Sequence, residues 1–181
     1  MLQMLQNCST WEVARVFFDE PTKDHYLREI SKKSGLAHTS VKKHLEDLIE
    51  YGIIEEEELK RGKRTYPIYK RKDGEVYKRY KKIDILDRLH RSGLIEHLVN
   101  TFYPDSIVLF GSSARGEDIE GSDLDIFIQA TDKEIELSEY ETSLHRKIQL
   151  HVEDDLQNYP KELKNNIANG IVVHGYLEVQ K

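Results

Sequence analysis

The sequence contains almost no cysteine and no long apolar segment. Cys8 is the only cysteine among 181 residues, which excludes an intrachain disulfide and a zinc site built from several cysteines. No apolar run approaches the roughly 20 residues that a membrane-spanning helix needs. The N-terminal segment meets Glu12 and Arg15 too early for a signal peptide. We therefore expect a cytoplasmic protein with no membrane partner.

Positive charge is scarce in the rear half of the chain. Residues 83–181 contain 9 Lys and Arg against 19 Asp and Glu, a net charge of −10. Residues 1–82 contain 18 Lys and Arg against 14 Asp and Glu, a net charge of +4. The chain length permits one large domain or two small ones, and this division of charge favours two modules with different partners.

The most informative segment is residues 111–128, GSSARGEDIEGSDLDIFI. It follows a short apolar run typical of a buried strand. Asp123 and Asp125 are two apart at the start of a second apolar run, so on a strand they share one face. Two such carboxylates resist joint ionisation unless a cation lies between them, and magnesium accepts one or two carboxylates together with phosphate oxygens. Gly111 and Ser112 add a turn whose backbone N–H groups suit phosphate at a helix start. The pattern predicts a site for a metal-bound nucleoside triphosphate.

This segment resembles the DNA polymerase beta-like nucleotidyltransferase superfamily, particularly its minimal branch. The superfamily pattern is Gly-Ser, some nine to twelve residues, then Asp-x-Asp, and residues 114–116 and Ser122 match finer details of the minimal branch. The resemblance covers residues 92–181. It implies that Asp123 and Asp125 hold magnesium or manganese, and that a nucleoside monophosphate passes from a triphosphate to a hydroxyl. In minimal members the acceptor can be a partner protein, often the toxin encoded beside an antitoxin of this type. We assign nucleotide binding to Gly111, Ser112, Arg115 and Ser122; the alternative for Arg115 is a surface ion pair with Glu117 or Asp118.

The predicted strand 147–153 lacks the third carboxylate that the superfamily uses to activate the attacking hydroxyl. Gln149, His151 and Glu153 alternate with apolar residues and share a face, and Gln149 or His151 stands where the acid is expected. We assign His151 as a catalytic proton acceptor, with a purely structural histidine as the alternative; Glu153 is a further candidate. The gap leaves enzyme activity open. The alternative function is a transcription regulator whose inactive rear domain serves as a nucleotide sensor or docking module.

The front of the chain resembles a winged helix-turn-helix regulator. Apolar residues predict three helices ending near residues 20, 33 and 50, followed by a basic hairpin around residues 61–64. In such a fold the third helix enters the major groove of duplex DNA and the hairpin lies along phosphates. The alternatives are a solvated face, since nearby glutamates weaken the local positive field, and a protein-binding module. The predicted DNA-binding residues are His38, Thr39, Ser40, Lys42, Lys43, Lys63 and Arg64.

These patterns predict an α/β protein of two domains. Residues 1–70 are the winged helix domain, residues 71–91 are a helical connector, and residues 92–181 are the small α/β domain. Within the small domain we predict, among other elements, a helix over 94–102, a strand over 106–110 and a helix over 133–146. Apolar residues recur in the connector at helical spacing, from Val76 to Leu89. An uncovered stripe of this kind suits a homodimer seam, and the alternative is packing within the same chain.

Overall fold

The computed structural model describes residues 8–179 and confirms the predicted α/β class. The chain divides into two compact units, Met1–Asp84 and Ile85–Lys181. This boundary falls within the predicted connector. Within the described residues, no helix is both long and apolar enough to cross a membrane.

Three helices open the first unit: α1 (Ser9–Asp19), α2 (Leu27–Ser34) and α3 (His38–Glu50). Apolar residues recur at three- to four-residue spacing, so each helix has one face to bury. Gly35 takes a left-handed conformation with φ 71° and ends α2. The core that the helices share includes Val13, Phe17, Ile30, Val41, Leu45 and Leu48.

An antiparallel hairpin follows the helices. Strands β1 (Ile54–Arg61) and β2 (Arg64–Arg71) are joined by a two-residue turn in which Gly62 has φ 63°. His25 adds a short bridge to this hairpin: its backbone N–H donates to the Tyr69 carbonyl at 2.8 Å and its carbonyl accepts from Tyr69 at 2.9 Å. The hairpin is therefore tied to the segment between α1 and α2.

Helix α4 (Glu75–Arg91) contains the boundary between the two units. In the first unit, Val76 and Tyr80 pack against the helical core, and the Trp11 indole donates to Asp84 at 2.8 Å. In the second unit, Leu89 belongs to that unit's core and Leu86 packs against it. The chain's own cores thus cover much of the stripe that we predicted as a dimer seam, and homodimerisation stays a prediction.

The second unit is a four-stranded sheet with helices. The strand order is β5-β4-β3-β6, with β4 and β5 parallel and the other two pairs antiparallel. Residues 133–137, the start of the helix predicted over 133–146, have no regular secondary structure. The elements are α5 (Leu94–Phe102), β3 (Ser106–Phe110), α6 (Gly111–Arg115), β4 (Leu124–Gln129), α7 (Ser138–Leu144), β5 (Ile148–Glu153), α8 (Lys161–Ala168) and β6 (Ile171–Gly175).

The two faces of this sheet belong to separate apolar clusters. Ile107, Leu109 and Ile126 lie in the larger cluster, and the intervening Val108 and Phe127 lie in the smaller one. Side chains alternate along a strand, so Asp125, two residues before Phe127, belongs to the smaller cluster's face. The fold therefore places the Asp125 carboxylate on the same face as the apolar Val108 and Phe127.

Candidate active site

Gly111 and the Asp125 carboxylate make a close approach at the end of β3. Phe110 is the register partner of Asp125, so the chain leaves β3 beside this carboxylate. Gly111 has φ 73°, and a Cβ placed on it would lie 3.1 Å from Asp125 Cγ and closer still to Oδ2. Only glycine permits both this left-handed turn and this approach. The Gly-Ser turn and the Asp-x-Asp pair, 12 residues apart along the sequence, thus meet at one place.

The electrostatics of Asp125 favour a bound cation. Burial raises the pKa of Asp125, and the neighbouring Asp123 carboxylate raises it further, while His151 and Arg115 act in the opposite direction. The raised pKa means that the fold disfavours the ionised form of Asp125, mainly because the carboxylate is partly buried. A divalent cation would offset that cost, and oxygen ligands suit magnesium or manganese. Asp123 and Asp125 therefore fit as the residues that would hold the metal.

We expect Asp125→Asn to stabilise the metal-free protein at neutral pH. A folded-state pKa above the ordinary value of 3.8 means that ionised Asp125 costs stability at neutral pH, and the cost disappears as the pH falls toward that value. Asparagine removes the charge at a similar shape. Thermal denaturation in a chelator should show Tm higher by about a few degrees at pH 7, with the difference shrinking near pH 4. A lower Tm for the variant at pH 7 would show that the carboxylate has a favourable partner.

A largely buried ion pair holds the loop before Asp123. The Arg146 guanidinium pairs with Asp118, whose side chain is only 5% exposed, and also donates to the Ser122 carbonyl at 3.1 Å. The Ser122 hydroxyl accepts from the Ile119 backbone N–H at 3.0 Å. Sequence reasoning missed Arg146 and Asp118, because a pair 28 residues apart carries no periodic signal. Ser122 therefore helps to shape the loop, at the position where we predicted a nucleotide contact.

Arg115 forms the surface ion pair that the sequence left as an alternative. Its Nε lies 2.8 Å from Glu117 Oε2, and both side chains are exposed. A pair in this setting contributes at most about 1 kcal/mol, so it leaves the guanidinium available to a phosphate. Ser112 lies half-buried in α6, next to Gly111.

Strand β5 brings Gln149, one of the two residues predicted to stand at the position of the third acid, beside Asp125. The two are register partners on parallel strands, and Gln149 is exposed. His151 follows on the same face, with its ring centroid 5.2 Å from that of Phe110. Glu153 is about 13 Å further along the strand than Gln149, and its carboxylate accepts from Asn158 at 3.0 Å. His151 is therefore closer in register to Asp125 than Glu153 is.

A cavity adjoins the loop that precedes Asp123. Its volume is about 420 Å³, within the usual range for ligand pockets. Ser122 lines one side, and Glu141 and Thr142 of α7 line another, together with Arg146 and Lys147. Both cations are paired, Lys147 with Glu141 and Arg146 with Asp118, and neither Asp123 nor Asp125 lines this cavity.

The predicted DNA-binding residues lie on α3 and the hairpin tip. His38, Thr39, Lys42 and Lys43 are exposed along α3, and Lys63 and Arg64 are exposed at the tip. Ser40 differs, because its half-buried hydroxyl lies 3.2 Å from His44 Nε2 within the same helix. Among the residues that the structure describes, no carboxylate lies within ion-pair distance of Lys42, Lys43, Lys63 or Arg64. Lys70 of β2, by contrast, pairs with Glu55 and Glu57.

Comparisons with known proteins give one family match and one similar solved structure. Residues 92–177 match the protein family described as "Polymerase beta, Nucleotidyltransferase", and these residues form a nucleotidyltransferase-like domain. A solved structure described as "Possible transcriptional regulator from Methanosarcina mazei Go1" aligns at 19% sequence identity with a TM-score of 0.37, covering 55% of this chain and 83% of that chain. No curated protein matches the sequence. Members of the nucleotidyltransferase superfamily generally use a divalent metal and a nucleoside triphosphate.

Proposed function

We propose that the second unit binds a metal-bound nucleoside triphosphate and transfers its nucleoside monophosphate to a hydroxyl, and that the first unit binds duplex DNA. The observation that carries the transfer proposal is the approach of the Gly111 turn to Asp125. This approach joins the two halves of a phosphate-and-metal site, backbone N–H groups at the turn and the carboxylates of Asp123 and Asp125.

The reaction needs few groups of the protein. The oxygen of the acceptor hydroxyl attacks the α-phosphorus, the bond to the bridging oxygen breaks, and pyrophosphate leaves. A magnesium or manganese ion held by Asp123 and Asp125 would supply charge neutralisation for the phosphates. The hydroxyl proton passes to the His151 imidazole, since Gln149 has no basic group. Arg115 contacts the triphosphate.

The acceptor in this proposal is a hydroxyl on a partner protein. The superfamily's minimal members supply that expectation.

Gln149 favours a second candidate function, a nucleotide sensor. An amide beside Asp125 in place of a carboxylate removes the anionic ligand and base expected there. The carboxylate pair and the Gly111 turn still suffice to bind the triphosphate. Nucleotide binding would then signal to the first unit, and no nucleoside monophosphate would be transferred.

Label transfer distinguishes the two candidates. The chain is incubated with magnesium, triphosphate labelled at the α-phosphate, and hydroxyl acceptors that include serine- and tyrosine-containing proteins. The transfer proposal predicts incorporation that falls by at least about 1000-fold in Asp123→Asn plus Asp125→Asn, and by about 100-fold in His151→Gln. Binding without incorporation would establish the sensor instead. In that case Gln149→Asp, which restores a carboxylate beside Asp125, should produce incorporation.

The DNA-binding proposal rests on the exposed cations of the first unit. Lys42 and Lys43 near the N-terminal end of α3, and Lys63 and Arg64 at the hairpin tip, have no ion-pair partner in the described part of the chain. Phosphate contacts from such groups provide affinity, and side chains at the start of a recognition helix read base edges. His38 and Thr39 are the exposed candidates for base contacts, together with Ser40 if its bond to His44 opens.

A further inference from the structure

A buried imidazole in the first unit faces two carboxylates. His25 is fully buried, and its Nδ1 lies 3.9 Å from Glu20 Oε2 and 3.6 Å from Glu29 Oε1. Its Nε2 lies 3.3 Å from the Glu20 backbone carbonyl, an acceptor, so the ring proton belongs on Nε2 and Nδ1 carries a lone pair. Within residues 8–179, Nδ1 has no hydrogen-bond partner. A buried acceptor aimed at two anionic acceptors needs an explanation.

Lys33 contacts the same two oxygens that face His25. Its ammonium group lies 2.8 Å from Glu29 Oε1 and also pairs with Glu20 Oε2. Lys23 lies on the other oxygen of Glu20, at 2.7 Å. Burial raises the pKa of Glu20, but the hydrogen bonds from Lys23 and Lys33 outweigh it and hold the pKa at about 2. The carboxylate is therefore ionised at neutral pH, with an internal cation beside it.

We propose that Glu20, His25 and Glu29 form a binding site for a divalent transition metal such as zinc, in competition with the Lys33 ammonium group. Zinc binds imidazole nitrogen and carboxylate oxygen at about 2.0–2.2 Å, which places the ligand atoms of a tetrahedral site about 3.4 Å apart and at most about 4.2 Å. The two distances from Nδ1, 3.6 and 3.9 Å, fall in this range. All three ligand atoms lie within 4.8 Å of one another, and binding requires the two carboxylate oxygens to lie within about 4.2 Å of each other.

The ligand chemistry selects the class of metal. One imidazole with two carboxylates suits zinc and its first-row neighbours, whereas magnesium prefers oxygen ligands and keeps its waters. Three protein ligands leave a fourth position for water. The site would join three segments of the first unit: the residue after α1, the bridge to β2, and α2.

The site is open to solvent on its carboxylate side. The side chains of Glu20, Glu29 and Lys33 are 23%, 37% and 34% exposed. A cavity of about 290 Å³ is lined in part by Glu20 and Lys33. The metal can therefore reach the oxygens, and the lysine side chain has space into which it can turn.

Two neighbouring substitutions on α2 should change zinc affinity in opposite directions. The full chain carrying Asp123→Asn plus Asp125→Asn is used, so that the carboxylates of the second unit do not contribute. Titration of Zn²⁺ against a chromophoric chelator should show one bound equivalent. Glu29→Gln removes a ligand and should weaken binding by at least about tenfold. Lys33→Gln removes the competing charge and should strengthen binding by about tenfold. Co²⁺ should give a visible spectrum of tetrahedral coordination, and Mg²⁺ should not displace it.

The proposal is overturned if the chain takes up no Zn²⁺ or Co²⁺. It is also overturned if the parent chain, Glu29→Gln and Lys33→Gln bind Zn²⁺ with the same affinity. Weaker binding in both α2 variants would also overturn it, because a purely structural Glu20–Lys33–Glu29 network predicts damage from either change. If circular dichroism shows that Glu29→Gln loses helix, the Lys33→Gln variant alone tests the proposal, because its affinity for Zn²⁺ must rise.

Discussion

Replacing Gly111 by alanine should remove triphosphate binding by the second unit. Alanine in a left-handed conformation costs about 1–2 kcal/mol, and here the added Cβ would also lie 3.1 Å from Asp125 Cγ and collide with Oδ2. The turn and the carboxylate must then separate, which divides the phosphate half of the site from the metal half. We expect affinity for magnesium triphosphate to fall by at least about 100-fold, because both sets of contacts are lost together.

Gly121→Ala is the matched control for this substitution. Gly121 also has a left-handed conformation, with φ 79°, and lies in the loop before Asp123, but a Cβ there would meet nothing within 4 Å. Gly121→Ala therefore has the cost of an alanine in a left-handed conformation, but its Cβ collides with no other atom. Calorimetric titration should therefore show binding for Gly121→Ala and none for Gly111→Ala. Equal affinities would mean that the approach of Gly111 to Asp125 plays no part in nucleotide binding.

Reversing the charge at Lys42 and Lys43 should remove duplex DNA binding by the first unit. Each exposed cation that contacts a phosphate releases counterions, so its loss weakens binding and reduces the salt dependence. Changing both residues to glutamate alters the charge of α3 by four units and adds repulsion. Fluorescence anisotropy with duplex DNA at low salt should show affinity reduced by at least about 100-fold.

The same charge change on α8 provides the control. Lys161→Glu plus Lys164→Glu leaves the predicted interface intact, so DNA affinity should change by only a few-fold through the net charge. An equal loss in both variants would indicate a nonspecific effect of charge. Affinity that is indifferent to the α3 change and to salt would show that the first unit binds something other than DNA.

The sequence predicted the elements that local periodicity defines. The predicted bounds of α5, 94–102, and of β3, 106–110, agree with the structure, because each has a short apolar pattern between clear breaks. The predicted helix over 133–146 is shortened to Ser138–Leu144. Ile135 and Leu137 explain the difference: both pack against the larger core of the second unit, and a spacing of two suits an extended segment rather than a helix.

Contacts between distant residues were not predictable from periodicity. The alternation along β5 gave the shared face of Gln149 and His151, but the pairing of Gln149 with Asp125 depends on the register of two parallel strands. The Arg146–Asp118 ion pair and the group of Glu20, His25 and Glu29 likewise form only when loops and helix ends meet. Charged residues of this kind give no local signal that separates them from a solvated surface.

Isothermal titration of the chain with a nucleoside triphosphate, in the presence of magnesium or manganese, tests nucleotide binding most directly. The carboxylate pair beside the Gly111 turn predicts one equivalent of bound triphosphate that requires the metal. The Asp123→Asn plus Asp125→Asn variant should show no binding under the same conditions. Absence of uptake by the unaltered chain, or equal uptake by the variant, would contradict the assignment of this site.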